Sequence, residues 1–298
     1  MATKEHVIKA DFYKVENIKG SLSSILDDLI ALQVEKRNVS AGGQPLRLER
    51  IERVARDGGT FYEGEFVRVR MDNLPVKASK TSGVESIGLN DDEGIGEETA
   101  FLYSKDQDIL ILQRNRSGAS FARVEEYFNK FGGKDNAVGL AIMMNADALK
   151  RLKKANAVKS LSVTIAPIEG VPLDDLRNVS VSKAVEAMES LGGQKVTMTV
   201  SLVPRSGLSL FKEKITDVAT SVMRYRSQSA SSVPKMQVKA EDDDGTSIID
   251  FIRDRLSCSD KIPNDNDRHL SYNARRSFLW SAWNSKGFQN VLMLQRGM

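Results

Sequence analysis

Apolar residues along the chain follow two periods, and the switches between them mark the elements. Residues 5–15 alternate loosely through Val7, Ile8, Phe12, Tyr13 and Val15, which predicts a first strand. Gly20 and Ser21 break it, and Ser21 is placed to cap the next element. Leu22, Ile25, Leu26, Leu29 and Ile30 then recur at helical spacing, predicting an amphipathic helix over 22–37. Two arms, 46–55 and 61–71, flank Asp57-Gly58-Gly59, a hairpin signal. In the second arm Phe61, Glu63, Glu65, Val67 and Val69 share one face; Tyr62, Gly64, Phe66, Arg68 and Arg70 share the other.

Residues 72–98 are polar and read as a long surface loop ending in the acidic run 90–98. Segments 100–103 and 109–113 predict a second hairpin. A helix over 117–131 places Phe121, Val124, Tyr127 and Phe128 on one face and stops at Gly132-Gly133. Strands are expected at 138–144, 161–166 and 196–203, and helices at 145–155, 179–191 and 208–225. Residues 227–232 are a serine-rich linker. Segments 236–240 and 247–256 surround the acidic turn at 241–245, and a helix near 272–283 with a mixed tail closes the chain.

Irregular alternation with several hairpins predicts an α+β protein of mixed and antiparallel sheets with packed helices, not a doubly wound parallel sheet. The breaks divide the chain into an N-terminal α+β domain over 1–117, a middle α+β domain over 118–233 and a C-terminal segment over 234–298. With 41% hydrophobic and 28% charged residues, the 298-residue chain is neither disordered nor fibrous. A mean hydropathy of -0.33 and the lack of any long apolar run argue against a membrane span. No apolar stretch comes after the first six residues, so no signal peptide is expected there. The lone cysteine, Cys258, excludes an internal disulfide framework and makes a reducing cytoplasm the expected compartment.

Two histidines, His6 and His269, leave little room for metal or triad chemistry. Nucleotide-binding glycine motifs and a nucleophile elbow are absent. No cofactor, catalytic residue or resident metal is expected. Asp91, Asp92, Glu93, Glu97 and Glu98 either hold Mg²⁺ or form a solvated loop, and Asp242-Asp243-Asp244-Gly245 reads as a turn. Cations are more suggestive. Lys150, Arg151, Lys153 and Lys154 lie on a short helix opposite Leu149 and Leu152, with Lys159 just beyond. Arg114 and Arg116 end the second hairpin, and Arg123 lies one turn into the next helix. Lys212, Lys214, Arg224 and Arg226 mark both ends of the helix expected at 208–225. Each group is either a phosphate contact or a solvated face. The segment from Tyr272 to Trp283 holds both tryptophans with Arg275 and Arg276, and is either a base-stacking platform, a core-docking helix or a dimer contact.

The stretch 90–103, from Asn90-Asp91-Asp92-Glu93-Gly94-Ile95-Gly96 into an apolar strand, resembles the corresponding stretch of the RexA family of lambdoid prophage exclusion proteins. Residues 238–249 are similar to a second stretch late in that family. Ile249-Asp250-Phe251 resembles a segment of Kiwa-type antiphage effectors, and a more distant likeness runs to RdgC-like DNA-binding proteins. The resemblance covers about half the chain. It implies a non-enzymatic, homodimeric protein that binds double-stranded DNA without sequence preference. It further implies a role in phage exclusion or antiphage defence alongside a defence partner protein, membrane-associated or otherwise. The expected DNA contacts are Lys150, Arg151, Lys153, Lys154, Arg114, Arg116 and Arg123. A metal-dependent nuclease using the 91–98 carboxylates and a protein-interaction adaptor using 272–283 stay open as alternatives.

Overall fold

The structure is a computed structural model. It describes residues 4–81, 83–166, 179–203, 208–215, 217–219, 222, 235–243, 245–264 and 269–296. The chain is α+β with antiparallel sheets and packed helices. It divides into two compact units interleaved along the sequence, whereas the breaks in the sequence pattern divide it at 117/118 and 233/234. The first unit takes residues 1–10, 15–139 and 259–280; the second takes 11–14, 140–258 and 281–298. The predicted linker at 227–232 lies outside the described residues.

The first unit is built on a long antiparallel sheet. Its strands are β1 (Lys4–Lys19), β2 (Asn38–Ala41), β3 (Gln44–Arg56), β4 (Gly59–Arg70), β7 (Ile95–Ser104), β8 (Ile109–Gln113) and β14 (Ser257–Asn264), ordered β14-β1-β8-β7-β4-β3-β2, with β9 (Ala137–Ile142) paired to β1 off this row. The loop expected at 72–98 contains a short ribbon, β5 (Lys77–Ala78) against β6 (Val84–Glu85), and gives way to β7 earlier than the sequence suggests.

Two helices, α1 (Leu22–Ala31) and α2 (Phe121–Gly132), belong to this unit. The Ser21 hydroxyl accepts from the Ser24 N–H and caps α1 as expected. Helix α1 ends six residues before the predicted limit, and a 3₁₀ turn occupies Val34–Arg37. On β4 the even-numbered face receives α2: Phe66 meets Tyr127 at 5.1 Å and Phe128 at 5.7 Å between ring centroids. The odd-numbered face receives the start of α5 (Tyr272–Trp283), where Phe61 meets Trp280 at 4.9 Å.

The second unit holds a four-stranded sheet of β10 (Ala157–Ile165), β11 (Val196–Ser201), β12 (Lys235–Asp242) and β13 (Gly245–Asp250), ordered β11-β10-β12-β13. Its buried core includes Val158, Leu161, Val163, Val185, Met236, Val238 and Ile249. Helices α3 (Ala146–Lys154), α4 (Val179–Ser190) and α6 (Lys286–Arg296) accompany it. The tail after 283 is therefore a helix, with Phe288 stacked on Phe12 at 4.8 Å. Among the described residues no helix is long and apolar enough to cross a membrane.

Candidate functional site

The strand β4 runs its even-numbered face from Phe66 to Arg68 and Arg70. Burying Phe66 beneath α2 brings Arg68 under the segment that leads into that helix. Arg68 donates to the Ser117 carbonyl at 2.6 Å and to the Gln44 side chain. The segment itself is fastened to β7. Asn115 donates to the Glu98 carbonyl at 2.8 Å, and the Ala119 N–H donates to Thr99 Oγ1 at 2.9 Å. Gly118 permits this approach, since a Cβ there would lie 2.2 Å from Thr99 Oγ1.

One helical turn on, Arg123 lies half-buried against the β2–β3 turn. A Cβ on Gly42, whose φ is +59°, would stand 2.7 Å from Arg123 Nε. Arg68 and Arg123 thus meet where α2 begins, from two elements, and Arg70 lies close enough to Arg68 to act on its charge. Burial lowers the Arg123 pKa, and the charge of Arg68 lowers it further, against the opposing pull of Glu126. Burial lowers the Arg68 pKa too; Glu97 opposes this and Arg70 adds to it. Arg68 and Arg123 both stay charged at neutral pH, because a guanidinium titrates far above it.

The counter-charge supplied by the chain is incomplete. Arg70 reaches Glu97 at 3.9 Å, but among the described residues no carboxylate lies within ion-pair distance of Arg68 or Arg123. Glu126 is committed to Lys130 at 2.8 Å and to the Gly42 N–H at 2.8 Å. Arg70 Nε, Arg123 Nε and Ser120 Oγ are all buried without a hydrogen-bond partner in the protein. Ser120 occupies the N-cap of α2 yet makes no capping bond. Unpaired buried donors beside an excess of positive charge favour an anion with several acceptor oxygens, and guanidinium forks match phosphate in geometry.

The structure divides the sequence-predicted cations. Arg116 is exposed beside this cluster, Arg114 is exposed at the end of β8, and Arg123 belongs to the cluster itself. In the second unit Lys150 and Lys154 are exposed on α3, and Lys153 lies in the same helix. Arg151 differs from the expectation that all four cations project outward. It bridges Asp147 at 3.1 Å and Asp254 at 2.9 Å, and donates to the Ile248 carbonyl at 2.6 Å. Asp254 is 103 residues away in sequence, so helical periodicity gives no sign of the pairing. Arg151→Ala should cost about 1–3 kcal/mol, since it strands half-buried acceptors; a melt unchanged from wild type would contradict this. Lys159 is paired with Glu241 at 3.2 Å, and Lys212 donates to the Ala155 carbonyl at 2.9 Å. Arg224 and Arg226 lie outside the described residues.

The acidic run is parcelled out rather than gathered. The Asn90 N–H donates to Glu93 at 2.9 Å, Glu97 faces Arg70, and Glu98 meets Arg275 at 3.0 Å and His269. No group of three or more potential metal ligands occurs among the described residues. The aromatic-basic segment turns inward. Phe278, Leu279 and Trp280 are buried. Trp280 donates to Glu63 at 2.7 Å, Arg276 approaches Glu63 at 2.5 Å, and Arg275 forks onto Glu65. Of the open readings for this segment, its first three turns take the one in which it docks on the core. The acid pair beneath it carries no signal of its role in the sequence beyond one visible trace, the placing of Glu63 and Glu65 between apolar positions on one strand face.

A family model described as a family of unknown function matches residues 6–290. No curated protein matches the chain.

Proposed function

We propose that the chain, which belongs to the DUF6731 family of unknown function, is a non-enzymatic protein that binds double-stranded nucleic acid through its phosphate backbone. The anchor in this reading is the cluster of Arg68, Arg70 and Arg123, with Arg116 beside it. The observation that carries it is the pair Arg68 and Arg123, half-buried, mutually repelling and without a carboxylate partner among the described residues. A backbone phosphate supplies the missing negative charge and accepts from the guanidinium groups. Such contacts carry no base information, so binding is independent of sequence. The inward packing of Phe278 and Trp280 removes them as stacking surfaces for splayed bases and favours a duplex over a single strand. Exposed Lys150 and Lys154 are further phosphate contacts in this reading. A setting in phage exclusion or antiphage defence belongs to the same proposal and is supported by the resemblance of residues 90–103 and 238–249.

A mobility-shift titration checks the reading. Unrelated duplexes of equal length should be retarded alike at low salt and remain uncut with Mg²⁺ present. A chain that leaves every duplex unshifted contradicts it.

A further inference from the structure

The sheet of the second unit has two edges, and they are treated differently. At β13 the Arg151 guanidinium from α3 donates to the Ile248 carbonyl at 2.6 Å, so the ladder on that side is blunted by a charged side chain. At the other edge, β11 pairs with β10 alone among the described residues. The pairing is antiparallel and regular from Val196 opposite Ile165 to Ser201 opposite Ser160. Nothing in β11 resembles an edge defence, for it has no lysine, proline or bulge, and no charge at all over Val196–Ser201. Exposed, uncharged edges of this kind are templates for another strand.

The sequence of this edge says which strand fits. Val196-Thr197-Met198-Thr199-Val200 reads the same in both directions about Met198. Outward-pointing N–H and C=O groups occur on every second residue of an antiparallel strand, so a partner strand must meet β11 with residues of matching parity opposite one another. A two-fold axis through Met198 satisfies this. Val196 then faces Val200 of a second copy, Thr197 faces Thr199, and Met198 faces its own equivalent. Each side chain thus meets a like one, apolar with apolar and hydroxyl with hydroxyl. Val196 and Met198 already pack against the core of the unit, while Val200 on the same side is exposed. The added strand would extend the apolar layer over Val200. Val203, just past the strand, is exposed as well.

We propose that β11 is the seam of a symmetric homodimer, in which two copies of this chain join their four-stranded sheets antiparallel about Met198. The interface is isologous, as closed two-fold pairs require. Sedimentation equilibrium tests it with three forms of the full chain. The wild type should sediment at about twice 33.0 kDa. Thr197→Lys with Thr199→Lys sets like charges opposite one another twice and should weaken association about 100-fold or more. Thr197→Glu with Thr199→Lys places opposite charges across the same seam and should restore the dimer. Both positions are exposed, though their hydroxyls bond Thr164 and Ser162 on β10, and since association stabilises the folded chain the dimeric charge-paired form should melt above the double-lysine form. A wild type that stays monomeric at every soluble concentration overturns the proposal. So does a dimer that survives the double lysine substitution.

Discussion

Replacing Arg275 by alanine should cost the protein about 3–5 kcal/mol, the usual loss when one partner of a buried ion pair is removed. Arg275 and Glu65 are each all but inaccessible to solvent, and their side chains meet in a forked contact between α5 and the middle of β4. Removing the guanidinium leaves a carboxylate in a site with little water. Arg50 offers weak compensation, since it lies 3.8 Å from Glu65 and is itself mostly exposed. Burial already raises the Glu65 pKa above its ordinary value of 4.5, with Arg275 opposing the rise. In the variant that opposition is gone and the pKa climbs further. A carboxyl with a raised folded-state pKa favours the folded state while protonated and loses that advantage as pH rises through the raised value. The deficit of Arg275→Ala should therefore be small below pH 4.5 and develop above it. Urea denaturation across that range measures it. Replacing both partners by apolar residues of similar size, Arg275→Met with Glu65→Leu, should recover most of the loss.

Phe66→Ala should destabilise the chain by a comparable amount, about 3–5 kcal/mol. The ring is fully buried and surrounded by Phe101, Tyr127 and Phe128 at 5.1–5.7 Å between centroids. Loss of a phenyl group here leaves a cavity that rigid aromatic neighbours cannot close. The consequence extends beyond stability. Phe66 seats α2, and α2 carries Arg123 towards Arg68, so a loosened helix should also weaken phosphate binding at temperatures where the variant remains folded. An unfolding free energy from urea titration that differs from wild type by less than about 1 kcal/mol would count against this packing.

Much of this fold is written in local periodicity. The parity of β4 sorts its residues onto two faces as the alternation predicts, and α2 and α5 cover them. Ser21, the hairpin at Asp57-Gly58-Gly59 and the stop at Gly132-Gly133 are legible because turn and cap chemistry is local. Long-range choices are another matter. Glu65 selects Arg275 across 210 residues, and Arg151 selects Asp254 across 103. Neither spacing leaves a periodic trace. The candidate site is half visible for the same reason. Arg123 and Arg116 stand out as cations near a helix start, and Arg68 and Arg70 as cations on an apolar strand. That they converge depends on the packing of Phe66, and that Arg151 is withdrawn from solvent depends on a turn far away in sequence. Lys150 and Lys154, by contrast, are exposed where helical spacing places them.

The salt dependence of duplex affinity tests the central claim most directly. Fluorescence anisotropy of a labelled duplex, titrated over a series of salt concentrations, gives the slope of log affinity against log salt for the wild type and for Arg68→Ala with Arg123→Ala. Each neutralised phosphate contributes about 0.9 to that slope. Loss of two contacts should lower it by about 2 and, at about 1.5–3 kcal/mol for each charged hydrogen bond, weaken binding at least about 100-fold for every duplex alike. The same slope in wild type and double variant, with affinity unchanged, would contradict the account.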